Sequence, residues 1–311
     1  MRRTVAAVCV ALGVFCLVLA PLLRYWVAGV FMKTPLDYYS QTVNRSEDAT
    51  YFNIEEMEVI EGATVEAHTT LKADVRASDD ETVVWDEFRW VKDVERDFAF
   101  LSTTRHTAHD RVTGEAVDCC GSAVNEESVP QSGQAFKWPF LVEQRDYEFF
   151  DSTVRETLPI TFEGVEEVDG HPGVEAYKFV QVVEPTVVET REFPRSLLGL
   201  EGEGDVTADV VYSNTRTYWI DPVTGSPLDL SEEQRRVAVV DGEERLTMFE
   251  ATMDFTDETV EERIEAAADG EKLVLVRTTL PIVLLLAGAV LLVLGLVLHV
   301  TRAKSPAHAR T

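Results

Sequence analysis

The run Leu280–Val300, LPIVLLLAGAVLLVLGLVLHV, contains no Asp, Glu, Lys or Arg. At about 1.5 Å per residue, some 20 apolar residues cross the hydrocarbon core of a bilayer. A buried helix of a water-soluble domain carries a polar stripe, and this run has none. It is read as a transmembrane helix, and everything before it must lie on one side of the membrane or the other.

A second apolar run, Thr4–Leu23, follows Arg2 and Arg3. A charged start before an apolar stretch resembles a secretory signal. The run is long for a cleaved signal, and no small-x-small site follows it. Val8 and Phe15 precede Cys9 and Cys16, where a lipoprotein site needs a small residue. The reading is an uncleaved anchor, with Pro21 able to kink its outer end and Arg24 able to snorkel. Arg2 and Arg3 before the first run, and Arg302, Lys304 and Arg310 after the second, place both termini in the cytoplasm by the positive-inside rule. The region between the runs is then exported.

That region is strongly acidic. No Asp or Glu precedes Asp37 or follows Glu271, so all 55 acidic residues fall between them. Nine of the 28 basic residues lie outside, leaving 19 and a net charge of -36. Such a surface repels nucleic acid and anionic headgroups, so no nucleic-acid partner is expected.

Within it the pattern is mainly β. Thr64–Ala77 alternates apolar and polar residues, Val83–Val91 is rich in Val, Trp and Phe, and Phe98–His109 leads into DRVTGEAVD at 110–118. Gly114 suits a left-handed turn position. A similar turn, DPVTGSPLD, recurs at 221–229, between alternating runs 215–220 and 233–240. Val168-Asp169-Gly170 marks a further hairpin between 160–167 and 175–183. Asp257–Asp269 has helix formers and acid at its start, with Gly270 placed to cap it. The expected fold class is mainly β (α+β): an exported antiparallel sheet domain of two related halves, flanked by two transmembrane helices. The divisions are an anchor at 1–33, β-rich halves at 34–135 and 136–256, a helical stalk at 257–279, the membrane helix at 280–300 and a polar, disordered cytoplasmic tail at 301–311.

Candidates for chemistry are few. Cys119 and Cys120 are adjacent, which allows a vicinal disulfide in an exported setting, or two thiols shaping a turn. His106 and His109 lie three apart, on opposite faces of a strand. No serine elbow, phosphate loop or zinc-helix motif is present, so no catalytic residue, cofactor or metal is expected. Trp85, Trp90, Phe136, Trp138, Phe140, Phe149, Phe150 and Trp219 are either ordinary core or the lining of an apolar ligand site.

Several stretches together resemble an actinobacterial family of PorA-like, porin-named membrane proteins. They are TPLDYYSQT after the first helix, the Trp85 strand, DRVTGEAVDCCG at 110–121, FKWPF at 136–140 with Tyr147 and Asp151, EEVDG at 166–170 and NTRTYWIDPVTG at 214–225. A branch of that family, the LmcA-like proteins, is associated with assembly of lipomannan and lipoarabinomannan. The VDG and WIDPVTG hairpins are also similar to those of curved-sheet periplasmic lipid carriers. The resemblance implies a non-catalytic protein that binds or presents envelope lipid or lipoglycan intermediates. Its partners would be membrane lipid and membrane glycosyltransferases. The porin name implies a channel-like oligomer instead, but strands of a membrane barrel need an apolar outward face, and these are acidic.

Overall fold

The structure is a computed structural model that describes residues 2–268 and 270–300, and the expected tail at 301–311 lies outside them. It separates into a helical unit, from residues up to Lys33 and from Ala268 onward, and a β-rich unit of residues 34–267.

The helical unit begins with α1 (Arg2–Pro21), a wider π-turn at Leu22–Val27 and α2 (Ala28–Phe31). Pro21 lacks the amide proton that would continue the regular ladder, and the π-turn starts at the next residue. The chain returns as α4 (Gly270–Val274), a π-turn at Leu275–Thr279 and α5 (Leu280–Val300), whose bounds are those of the apolar run. Both spans are long and apolar enough to cross a membrane. Gly13 and Gly288 let α1 and α5 approach backbone to backbone: a Cβ on Gly288 would lie 3.0 Å from the Gly13 carbonyl oxygen. Gly295 sits against Ala6, and Arg277 donates to Met32 Sδ, so the helices run antiparallel. Small residues at such a seam are how membrane helices gain packing. Outward-facing Leu286, Val290 and Leu296 remain about two-thirds exposed, as lipid-facing side chains should.

The β-rich unit is one antiparallel sheet of 13 strands. The first meander is β1 (Tyr39–Asn53), β2 (Glu58–Ala73), β3 (Thr82–Asp93) and β4 (Phe98–Asp110). Three short strands follow: β5 (Ala116–Val117), β6 (Ala123–Val124) and β7 (Glu127–Ser128). The second meander comprises β8 (Tyr147–Asp151), β9 (Glu156–Glu167), β10 (Glu175–Pro194), β11 (Asp205–Ile220), β12 (Pro227–Val240) and β13 (Glu243–Phe255). The spatial order is β7-β6-β4-β3-β2-β1-β13-β12-β11-β10-β9-β8, with β5 beside β4. The two meanders therefore join through β1 and β13.

Ion-pair geometry shows how strongly this sheet curls. Arg89 of β3 reaches Glu232 of β12 at 2.8 Å, although three strands lie between them. At about 4.8 Å per strand a flat sheet would hold them roughly 19 Å apart. Register shifts in β1, β10 and β12 are bulges, which add the twist that such curling needs. The two ends also meet. Gln134 donates its amide to Glu148 O of β8 at 2.7 Å, and Ala116 of β5 donates to Gly133 O at 2.8 Å. Residues 133–134 thus bridge the edges of the first and second meanders.

Inside, alternate residues of each strand pack as the period of two requires. Val65 and Ala67 of β2 join Tyr51, Phe249 and Met253 in one cluster. Trp138, Phe149, Ile160, Phe179 and Ile220 form another. Val260, Ile264 and Ala267 of the helix α3 (Asp257–Ala268) pack on Val168, Ala176 and Leu228 of the sheet. Gly270 opens α4 rather than capping α3.

Candidate functional site

The segment joining the meanders, residues 130–146, carries the FKWPF sequence, and the two similar turns grip it. In DRVTG, Asp110 Oδ1 accepts from the amides of Val112 and Thr113 at 2.8 and 2.7 Å and from the Thr113 hydroxyl. In DPVTG, Asp221 Oδ1 does the same for Val223, Thr224 and the Thr224 hydroxyl. Gly114 and Gly225 both have φ +72°. Trp138 donates to Gly225 O at 2.7 Å, Leu141 to Val223 O at 2.8 Å and Phe140 to Val112 O at 3.4 Å. The repeated motif is therefore a pair of clamps on one extended segment. Between them Lys137 donates to Thr224 O at 2.6 Å and lies 3.7 Å from the centre of the Phe140 ring, and burial pushes its amine down to about 7.

The curled sheet holds a partly open cavity of about 150 Å³. Its charged lining consists of Arg89, Arg105, Arg216, Arg236 and Arg263 against Glu87 and Glu232. Arg216 is fully engaged: Nε meets Glu232 at 2.8 Å, Nη1 meets Gln181 at 2.7 Å and Nη2 meets Asp151 at 3.2 Å. Burial alone would raise the Glu232 carboxyl, but Arg89 and Arg216 outweigh it and hold the group well below the carboxylate range. The same pairing lifts Arg216 well above its ordinary value against the burial that opposes it. Glu87 is pushed up by burial. Arg263, from α3, donates to Tyr38 Oη and Ser40 Oγ at 3.1 and 2.9 Å.

Arg105 is held differently. Its guanidinium lies 4.6 and 4.8 Å from the ring centres of Phe136 and Phe150. Nε donates to Gln131 at 2.7 Å, and Gln131 in turn donates to His106 O at 3.2 Å. Burial pushes Arg105 down to about 10, still a cation at neutral pH. Among the described residues its buried Nη2 has no partner, and neither has the Nε of Arg236.

Of the aromatic residues singled out in the sequence, Phe136, Phe149 and Phe150 line this cavity. The others do not join them in one apolar site. Trp85 is buried beside Tyr38, His109 and Phe136. Trp138 is fully buried among Phe149, Phe179 and Tyr218. Trp90 stacks on His68 at 4.5 Å, on the face of β3 opposite Arg89. Trp219 donates to Glu166 at 3.1 Å and packs in the α3 cluster, and Phe140 sits under Lys137. The charged lining escaped sequence reading, yet it left a signal. In β3, Glu87 and Arg89 fall in register with the buried Trp85 and Val91, so charge occupies inward positions.

Cys119 and Cys120 are bonded to each other in the turn between β5 and β6. His106 and His109 point to opposite faces. His106 lies 2.6 Å from Asp86 and 3.0 Å from Cys120 O, whereas His109 is buried and bonds Gly114 O through Nδ1 at 2.9 Å.

A family model described as Porin PorA matches residues 5–297, from within α1 to near the end of α5. The chain belongs to the Porin PorA family. A Porin PorA of Corynebacterium amycolatum is 25% identical over 197 residues, covering 55% of this chain and 46% of that one. A Porin PorA of Corynebacterium resistens is 25% identical over 242 residues, covering 57% and 58%. This PorA-family chain thus spans about half the length of the curated relatives it matches.

Proposed function

We propose that this protein is a membrane-anchored, exported binding protein that holds or presents an envelope lipid or lipoglycan intermediate and catalyses no reaction. The observation that carries the reading is the cavity inside the curled sheet of the β-rich unit, lined by Phe136, Phe149 and Phe150 together with arginines. A lining that is part aromatic and part cationic matches an amphiphile. The volume, about 150 Å³, is well below the roughly 300 Å³ of a small drug-sized pocket, so it accepts the polar end rather than whole acyl chains. Both helices lie in the plasma membrane with cytoplasmic termini, and the β-rich unit is outside. Tethered at both ends, it meets lipid heads without the ligand crossing water. A membrane glycosyltransferase is the natural recipient of such a ligand.

The test is native mass spectrometry of the full-length protein released from detergent, followed by organic extraction. One envelope lipid per chain is expected. A folded protein that stays empty after incubation with actinobacterial envelope lipids refutes the reading. The family name favours a rival, a porin-like oligomer, which planar-bilayer conductance of the same preparation would reveal.

A further inference from the structure

The interior of the β-rich unit has the opposite sign to its surroundings. Five guanidinium groups and two carboxylates line the cavity, inside a region whose net charge is -36. A buried cation is normally paired, because desolvation without a partner is costly. Arg216 and Arg89 obey this, sharing Glu232 at 2.8 Å each. Arg105 does not. Only 5% of it is exposed, its donor Nε is fixed by Gln131, and its ring contacts hold the guanidinium plane in place. Nη2 of this cavity-lining residue is itself buried and has no hydrogen-bond partner among the described residues. Arg236 adds a second unpartnered donor, its Nε, on the same lining.

We infer that the cavity is an oxyanion site, in which Arg105, supported by Arg236, binds a phosphate-type group. The fork geometry of guanidinium suits such an oxygen cluster, and charged hydrogen bonds are the strong ones. This deepens the carrier reading and rests on it for the source of the anion: the group is either the head of an envelope lipid or free phosphate.

The experiment uses the full-length protein in uncharged detergent, titrated calorimetrically with inorganic phosphate, dioctanoyl phosphatidic acid and dioctanoylglycerol. Phosphatidic acid is expected to bind one per chain, to compete with phosphate and to weaken as salt is raised. Arg105→Gln should lower its affinity at least tenfold, with Arg236→Gln weaker in effect. Phosphate binding without lipid binding keeps the oxyanion site and refutes the carrier reading. Dioctanoylglycerol binding as tightly as phosphatidic acid overturns the oxyanion site and leaves the carrier reading standing. Binding of neither phosphate nor phosphatidic acid, or an unchanged affinity in Arg105→Gln, also overturns the site. If Arg105→Gln fails to fold, Arg105→Lys keeps charge but loses the fork, and the wild-type comparison of charged with uncharged lipid still decides.

Discussion

Gly225→Ala tests the clamp on FKWPF most directly. Gly225 has φ +72°, and a Cβ there would lie 2.5 Å from Pro139 O and 2.6 Å from Trp138 C. Neither atom is the end of a flexible side chain, so the segment itself must retreat. The left-handed backbone costs a side chain about 1–2 kcal/mol. Retreat also strains the 2.7 Å bond from Trp138 N to Gly225 O, and an orphaned buried amide costs roughly 1–3 kcal/mol. Loosened packing of the fully buried Trp138 adds to this, so a loss of about 3–5 kcal/mol is expected. Gly170→Ala is the control: its φ is +74°, but nothing lies within 4 Å of the new Cβ. It should lose only the backbone cost, about 1–2 kcal/mol. Guanidinium unfolding of both variants, followed by tryptophan fluorescence, measures the gap. If they differ by less than about 0.5 kcal/mol, the clamp contributes nothing and the argument fails.

Four further outcomes are expected. Glu232→Gln strands Arg89 and leaves Arg216 with Asp151 and Gln181 alone, and should destabilise the protein by about 3–5 kcal/mol in the same assay. Burial pushes His109 from 6.5 down to about 3, so the unfolded chain takes up a proton that the native one refuses. Stability should therefore be full above pH 6.5 and fall as pH drops below it, and His109→Gln should flatten that slope between pH 6 and 5. In a background lacking Cys9 and Cys16, Ala6→Cys with Gly295→Cys should crosslink in membranes, while Ala6→Cys with Pro281→Cys should not; the reverse result refutes the antiparallel pair. Alkylation of the unfolded, unreduced protein should label Cys9 and Cys16 only, and labelling of Cys119 or Cys120 before reduction contradicts the vicinal bond.

Some of this structure was legible in the sequence because local periodicity is a strong signal. The apolar run 280–300 became α5 with the same bounds, and the Val-, Trp- and Phe-rich run 83–91 became the middle of β3. Turns were legible where glycine is obligatory, as at Gly114, Gly170 and Gly225, all with positive φ. Long-range closure was not. Nothing local says that residues 133–134 bridge the sheet's two edges, or that DRVTG and DPVTG hold the same segment. The aromatic residues misled for a related reason: Trp90 and Arg89 are neighbours in sequence but face opposite sides of the sheet. The cavity was legible only as charge in phase with buried residues, a pattern that composition and aromatic content both hide.

The family name and the β-rich architecture invite the idea that the sheet itself forms a pore, and its surface chemistry argues against this. On the outside, Arg235 of β12 pairs with Glu244 and Glu250 of β13 at 2.7 and 3.0 Å. Arg45 and Glu66 face each other across β1 and β2, and Lys178 pairs with Glu166 across β10 and β9. On the lipid face of a membrane barrel each central basic residue costs about 2–4 kcal/mol. The inside is no more suited to conduction, because Arg89, Arg216 and Glu232 cross the lumen as a paired network. The apolar surface that lipid requires is instead on α1 and α5, whose outward residues are exposed Val, Leu and Phe. If the protein conducts, association of those helices between chains is the route that this surface chemistry favours. Such a current should survive charge reversal at Arg235 and be absent from a version lacking both helices. A current that instead tracks Glu232→Gln, leaving the helices untouched, would mean that the lumen conducts and that the sheet crosses the membrane after all.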